Sequence, residues 1–348
     1  MVSLQTVRAH NASLKELGPG LVAVFVGGTS GIGESTARAF VRHTLSPRVY
    51  LVGRNETQAS RIISELRALN PEGKISFLRS EDVSLLRNVD AVCDEIKAKE
   101  EKVNLLFLSA GILTTRGRDE TIEGLDKKLS LHYYSRMRFV HNLLPLLTAA
   151  AAAGNSNSNN GTKTNLSRVI TVLSTGDEGR LFLDDLSLKS HYSLANAATH
   201  AITMSSLAVS ELAAAHPRTT FIHAFPGVVQ TNLMREFNPL VRGIVSGLSC
   251  LMKPWMVPLE ESGERHLYAA TSPAYPPKAS SSAGAAEKSV VAAPGADGGA
   301  YLLHWDGSTP NKKEKLLREY QSSGVGKRVW EHTLEVFEKI CGREGGRY

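Results

Sequence analysis

The chain has 348 residues, of which 42% are hydrophobic and 21% charged, and its formal net charge is +6. That balance suits a globular chain able to bury a core and excludes a chain that is disordered throughout. The positive charge is spread among 34 acidic residues, without a basic block or interleaved aromatics, which argues against nucleic acid as a partner.

Residues 1–20 lack the continuous apolar stretch of a signal peptide and read as an N-terminal extension of a cytoplasmic protein. Asn11-Ala12-Ser13 matches a glycosylation sequon, which carries little weight without a secretory signal. No window of about 18 uncharged apolar residues follows, so no transmembrane segment is expected. Cys93, Cys250 and Cys341 are odd in number and far apart, which indicates neither a disulfide framework nor a metal site.

From residue 21, short apolar runs alternate with longer amphipathic stretches. LVAVFV (21–26) predicts a first strand, and a helix starts near Gly33. RVYLV (48–52), KISFL (74–78), VNLLFL (103–108) and RVITVL (168–173) predict further strands. Helices are expected at 56–69, at 84–99, around 123–150, and from Tyr192 to Ala215. TTFIHAF (219–225) reads as a sixth strand and AYLLHW (300–305) as a seventh. The pattern predicts an α/β fold, a doubly wound parallel sheet with helices on both faces.

The stretches 150–165 and 276–299 are low in complexity and read as surface insertions, the second dispensable for the core. The apolar run 243–257 is too short to span a bilayer comfortably; it could line a substrate pocket or touch a membrane surface, and the pocket is favoured. The chain then divides into the extension 1–20, a nucleotide-binding domain 21–275 with a substrate segment at 232–258, the insertion 276–299, and a last strand with helices over 300–348.

The first strand runs into Gly27-Gly28-Thr29-Ser30-Gly31-Ile32-Gly33 and then into a helix. Glycines let the backbone turn tightly and approach a pyrophosphate, whose charge is drawn to the helix start. Gly53-Arg54 ends the second strand. A carboxylate there would accept from a ribose 2′-hydroxyl and favour NAD, whereas an Arg beside a small residue favours the 2′-phosphate of NADP(H).

The spacing Gly27, Gly31, Gly33 is GxxxGxG, and here the sequence resembles the short-chain dehydrogenase/reductase family over about residues 21–275. The resemblance implies a Rossmann-type three-layer α/β/α domain and a cofactor site including Gly27, Ser30, Gly31, Ile32, Gly33 and Arg54. It continues through Asp82, similar to the family's adenine-binding Asp, and Ser109-Ala110-Gly111, similar to its Asn-Ala-Gly turn. PGVVQT (226–231) resembles its Pro-Gly motif, with Val229 at the cofactor and Thr231 on the nicotinamide amide.

Hydride transfer to a carbonyl needs a proton donor and a second donor that holds the oxygen. The family positions for these match Ser174 and Tyr192. The family's YxxxK pattern is broken, because Asn196 stands where its Lys binds the nicotinamide ribose and lowers the phenol pKa. Asn196 sits one helical turn from Tyr192 and could still bond the ribose, without a charge. His132 takes the place of a proton-relay Asn, and His200, two turns past Tyr192, is a further candidate whose plainer reading is an exposed or capping side chain. His191 is expected to point elsewhere on that helix.

Two classes stay open. One is an NADP(H)-dependent oxidoreductase acting on a small carbonyl or alcohol, possible as a homo-oligomer. The other is a nucleotide-binding protein that has lost efficient redox chemistry and serves as a sensor or partner subunit. A non-redox proton transfer such as isomerisation is a narrower variant. Retention of both Ser174 and Tyr192 favours the enzyme. The texture around YSLAN and HAFPGVVQTNL resembles fungal family members, some of which act in secondary metabolism.

Overall fold

Strands buried on both faces must be apolar along their whole length, and the runs of Val, Leu, Ile and Phe become such strands. In the computed structural model, which describes residues 1–153, 165–229, 256–281, 293, 294 and 296–348, these are β1 (Val22–Val26), β2 (Arg48–Gly53), β3 (Lys74–Arg79), β4 (Leu105–Leu108), β5 (Arg168–Val172), β6 (Thr220–Ala224) and β7 (Ala300–Leu303). They form one parallel sheet in the order β3-β2-β1-β4-β5-β6-β7, as the doubly wound reading requires. β1 is an inner strand, with Val24 opposite Tyr50 of β2 on one side and Leu106 of β4 on the other. The winding reverses between β1 and β4, and a crevice opens beyond the strand ends at such a point.

Alternation along each strand divides the core between two layers. Val22, Val24 and Val26 face α4 (Leu86–Lys99), α6 (Ser135–Ala153), α7 (Leu194–Ala215) and α9 (Val325–Cys341). Ala23 and Phe25 face α1 (Leu4–Ala12), α2 (Gly31–His43), α3 (Glu56–Leu69) and α8 (Leu259–Thr271). The long helix expected around 123–150 is in three parts: a short α5 (Lys127–Leu129), a π-helical turn over Ser130–Tyr134, and α6. Among the described residues no helix is long and apolar enough to cross a membrane.

The first residues do more than extend the chain. Val7 and Leu14 are buried, and the amide of Asn11 donates to the Glu264 carboxylate (2.6 Å) and carbonyl (2.9 Å), lashing α1 to α8. The Val2 amide donates to the Asp306 carbonyl at 2.8 Å, joining the same end to the segment after β7.

The insertions are narrower than their composition suggests. Residues 150–153 complete α6 with Ala150 and Ala151 buried, because alanine favours helix and fits against the sheet. Residues 154–164 lie outside the described residues. In the second stretch, Ala279 donates to the Pro217 carbonyl (2.8 Å), Ala293 is buried in the core and donates to the Ala300 carbonyl (2.8 Å), and only 282–292 and 295 are outside the description. At Ala279 and Ala293 the stretch is therefore bonded to the described fold rather than lying idle on its surface. The segment 230–255, which holds Thr231 and most of the expected substrate segment, is also outside the described residues.

One helix start is capped from a distance. Leu85, at the N-cap of α4, offers no side-chain acceptor, and the buried Glu123 carboxylate instead receives the amides of Leu86 (2.6 Å) and Arg87 (3.1 Å). It thereby satisfies two of the four free N–H groups and meets the positive end of the helix dipole. Glu123→Ala is expected to cost about 1–3 kcal/mol, the range for leaving buried donors unpaired, and Glu123→Gln less. Urea unfolding of the two variants checks this, and equal losses would refute the capping role.

Candidate functional site

The turn after β1 is built for close approach. Gly27 has φ +86° and Gly31 φ +57°, a region that favours glycine. A side chain at Gly27 would come within 2.8 Å of the Ala110 amide nitrogen, and one at Gly33 would strike the Gly27 carbonyl. The turn therefore lies directly on Ser109-Ala110-Gly111, and both Ser109 and Ala110 amides donate to the Val26 carbonyl (2.9 and 3.1 Å). Ser30 is the N-cap of α2 but makes no capping bond with its hydroxyl, so the first-turn amides of this helix remain open to a ligand.

Above the strand ends runs a cleft of about 480 Å³. Its wall includes Gly27, Ser30, Gly31 and Ile32 of the turn, Arg54 and Asp82 at one end, and Ser109, Gly111, His132 and Ser174 at the other. The structure thus brings together most of the residues expected to bind a nucleotide. Gly33 stands behind the turn as a spacer.

Arg54 is exposed, and among the described residues no carboxylate pairs with it. Gly53 is small for a local reason: a side chain there would meet Thr29 Oγ1 at 2.7 Å, and Thr29 is also on the cleft wall. Asp82 accepts from the Ser84 amide (2.9 Å) and pairs with Lys127 (3.0 Å). Burial works against its ionised form, but hydrogen bonds from Ser84 and the Lys127 charge outweigh it and hold the carboxyl below its ordinary value.

At the other end, His132 sits in the π-helical turn, a local widening of the kind found at functional sites. Its Nε2 accepts from the Ile112 amide at 3.2 Å, and a side chain at Gly111 would come within 3.0 Å of the same atom. Burial, followed by the charges of Arg136 and Lys128, pushes the imidazole down to about 3. His132 is therefore neutral near neutral pH, and its Nε2 lone pair pins the 109–112 turn. Ser174 ends β5 on the cleft wall, with its hydroxyl donated to Asp177 Oδ2 at 2.7 Å.

Tyr192 and Asn196 are placed differently from the expectation. The helix begins at Leu194 with Ser193 as N-cap, its hydroxyl accepting from the Asn196 amide (3.0 Å), so Tyr192 and His191 precede the helix. The i, i+4 argument that put Tyr192 and Asn196 on one face fails because only one of them is helical. The Asn196 side chain donates to the His191 carbonyl (2.7 Å), and neither residue is on the cleft wall.

The Tyr192 hydroxyl donates to the Gly117 carbonyl at 3.3 Å. Lys128 Nζ donates to that same carbonyl (2.8 Å), lies 5.4 Å from the Tyr192 ring centroid, and is 3.3 Å from Asp126. Burial raises the phenol above 10, with Lys128 opposing. An ammonium thus reaches Tyr192 from α5.

His200 is neither exposed nor capping. It is buried, its Nε2 accepts from the Phe182 amide (3.0 Å) and its Nδ1 faces the Leu186 carbonyl (3.2 Å), so it clamps the 182–186 loop. His191 pairs with Asp185 at 3.0 Å. Val229 bridges to Val257 and is off the cleft wall, and Thr231 lies outside the described residues.

Three polar side chains on the cleft wall were not among the expected site residues: Thr29, Lys127 and Arg136. The signal for the last was present, since Lys128, His132 and Arg136 recur every four residues along one helical stripe. A charged residue in that stripe is ordinarily read as facing water.

Comparison with known proteins adds to this geometry. The sequence pattern of the family described as short chain dehydrogenase matches residues 21–240. An oxidoreductase of Emericella nidulans is 43% identical, with 99% of this chain and 100% of that protein covered. A short-chain dehydrogenase/reductase of Stachybotrys chartarum is 31% identical, covering 98% of each. Among solved structures, the NADPH-bound carbonyl reductase from chicken fatty liver matches with a TM-score of 0.54 at 16% identity, over 83% of this chain and 97% of that one.

Proposed function

The chain belongs to the short-chain dehydrogenase family, and from that membership we propose that it is an NADP(H)-dependent oxidoreductase interconverting a carbonyl and an alcohol on a small, mainly apolar molecule. The observation that carries this reading is one continuous cleft whose wall joins the phosphate turn at Gly27–Ile32, the unpaired Arg54 and Ser174. The residues fit a dinucleotide. Gly27 and Gly33 leave no room for side chains, the α2 amides suit a pyrophosphate, Asp82 suits an adenine edge, and Arg54 suits a 2′-phosphate. The NADPH held by the similarly folded carbonyl reductase is in keeping with this choice.

A bound nicotinamide would supply or accept the hydride at the substrate carbon. Ser174 holds the substrate oxygen in this proposal, after its hydroxyl turns from Asp177. Tyr192 carries the proton, which requires its hydroxyl to leave the Gly117 carbonyl. The raised phenol pKa then places alcohol oxidation toward alkaline pH. A cytoplasmic location, a homo-oligomeric state and a place in fungal secondary metabolism are further parts of the proposal, the last supported by the fungal relatives.

A second reading, a nucleotide-binding protein without redox turnover, is favoured by the position of Tyr192 and Asn196 off the cleft wall. The deciding experiment follows cofactor absorbance against a panel of ketones, aldehydes and alcohols, with Ser174→Ala and Tyr192→Phe alongside. Turnover that collapses in Tyr192→Phe supports the oxidoreductase. Cofactor binding without turnover on any substrate, with a first activity created by Asn196→Lys, supports the second reading. Turnover indifferent to Tyr192→Phe would remove that residue from the proton path.

A further inference from the structure

Arg136 is a buried cation on the cleft wall, 2% exposed, on the first turn of α6. Its Nε donates to the Leu131 carbonyl (3.2 Å), Nη1 to Thr171 Oγ1 (2.9 Å) and the Val172 carbonyl (2.7 Å), and Nη2 to the Ala110 carbonyl (2.8 Å). A guanidinium has five N–H groups, so one on Nη2 remains. Every acceptor is neutral, and among the described residues no carboxylate pairs with Arg136. Carbonyl dipoles offset only part of the cost of burying a charge, and an unpaired buried ion is ordinarily removed or put to use. Burial draws the group down to about 9, which leaves it charged at neutral pH.

The carbonyls that fix Arg136 belong to Ala110 and Val172, at the ends of β4 and β5, beside Ser174. Arg54 and Asp82 mark the opposite end of the cleft. A dinucleotide laid from Arg54 across the phosphate turn to Ser174, as in the cofactor reading above on which this inference rests, brings its nicotinamide half to the Arg136 end. The other charged or titratable groups around that end are His132 and His223, which are neutral, Lys128 beside His132, and Asp177 on Ser174.

We infer that Arg136 is a fixed positive charge that makes the site discriminate between the two redox forms of its cofactor, holding neutral reduced nicotinamide in preference to the oxidised pyridinium. The phosphates and adenosine are the same in both forms, so the ring charge is what a buried cation can sense. The consequence is a site poised for reduction: NADPH enters, and NADP+ is released readily.

Titration calorimetry of the full chain with NADPH and with NADP+ tests this, in the unmodified protein and in Arg136→Lys and Arg136→Met, with thermal melts in parallel. The unmodified protein should prefer NADPH by roughly tenfold or more, for a charge acting across a partly wet cleft. Arg136→Met should bring the ratio toward one mainly by tightening NADP+, and Arg136→Lys should keep most of the preference even if it melts earlier. A ratio near one in the unmodified protein, or one unchanged in Arg136→Met, overturns the inference while leaving the cofactor reading intact. If Arg136→Met does not fold, Arg136→Gln takes its place, since it keeps hydrogen-bond donors without the charge: a ratio moved toward one supports the inference, and an unchanged ratio overturns it. Failure of both NADPH and NADP+ to bind overturns the cofactor reading, and this inference with it.

Discussion

Acidification from pH 6.5 to 4.5 is expected to remove several kcal/mol of stability, before the carboxylates are protonated. Burial pushes His223 and His132 down to about 3 and His266 and His332 down to about 4. Their folded values lie below the unfolded value of about 6.5. Such groups stabilise the fold fully above pH 6.5, and the contribution falls as pH drops toward the folded values, because the unfolded chain takes up protons that the folded one refuses. Each can cost up to about 1.4 kcal/mol per pH unit in that window, and His132 and His332, which are only half-buried, less.

Against a total stability of about 5–15 kcal/mol, four such groups are decisive. Asp82 and Glu264 act in a lower window. Burial opposes their ionised forms, but hydrogen bonds from Ser84, His43 and Asn11 hold them below ordinary values, so their contribution is lost only below about pH 4. Urea midpoints measured at half-unit steps should fall steeply between 6.5 and 4.5, and a flat profile there would contradict the burial of these imidazoles. His223→Gln should flatten the slope, since Nδ1 bonds Ser206 at 2.8 Å and its buried Nε2 has no partner among the described residues.

Arg54→Ala should weaken NADPH binding by roughly 10- to 100-fold, the equivalent of one charge-assisted contact of about 1.5–3 kcal/mol, with NADH changed little. The exposed side chain has no carboxylate partner among the described residues, so its removal breaks nothing within the fold and the melting temperature should hold. Glu56, the nearest acid along the chain, is turned toward Arg79 at 3.7 Å. No carboxylate at positions 53–55 repels a 2′-phosphate. Equal affinities for NADPH and NADH in the unmodified protein would sink this assignment.

The strands were legible because burial on both faces leaves a run such as VAVFV or LLFL with no polar alternation to confuse it. The phosphate turn was legible because Gly27 and Gly31 meet a backbone demand that few other residues can. The start of α7 was misread by two residues. Ser193 is an ordinary N-cap signal, but attention to the Tyr192–Asn196 spacing placed the tyrosine inside the helix. Arg136 was missed for a different reason: its stripe with Lys128 and His132 does not by itself tell a solvated arginine from one held by the carbonyls of two distant strand ends. The docking of α1 was equally hidden, since a nine-residue helix with two buried positions, Val7 and Asn11, has little apolar face to recognise.

The Val229–Val257 bridge, with the Val257 amide on the Val228 carbonyl at 2.9 Å, fastens the two ends of residues 230–256 to each other beside the cleft. A stretch closed at its neck is thermodynamically cheap to rewrite, because doubling the length of a closed loop adds only about 0.6 kcal/mol of closure entropy. Behind the neck, α1 holds α8 through Asn11 and Glu264. The fixed points at Val229 and Val257 therefore set where the chain leaves and re-enters the described fold, whatever length separates them.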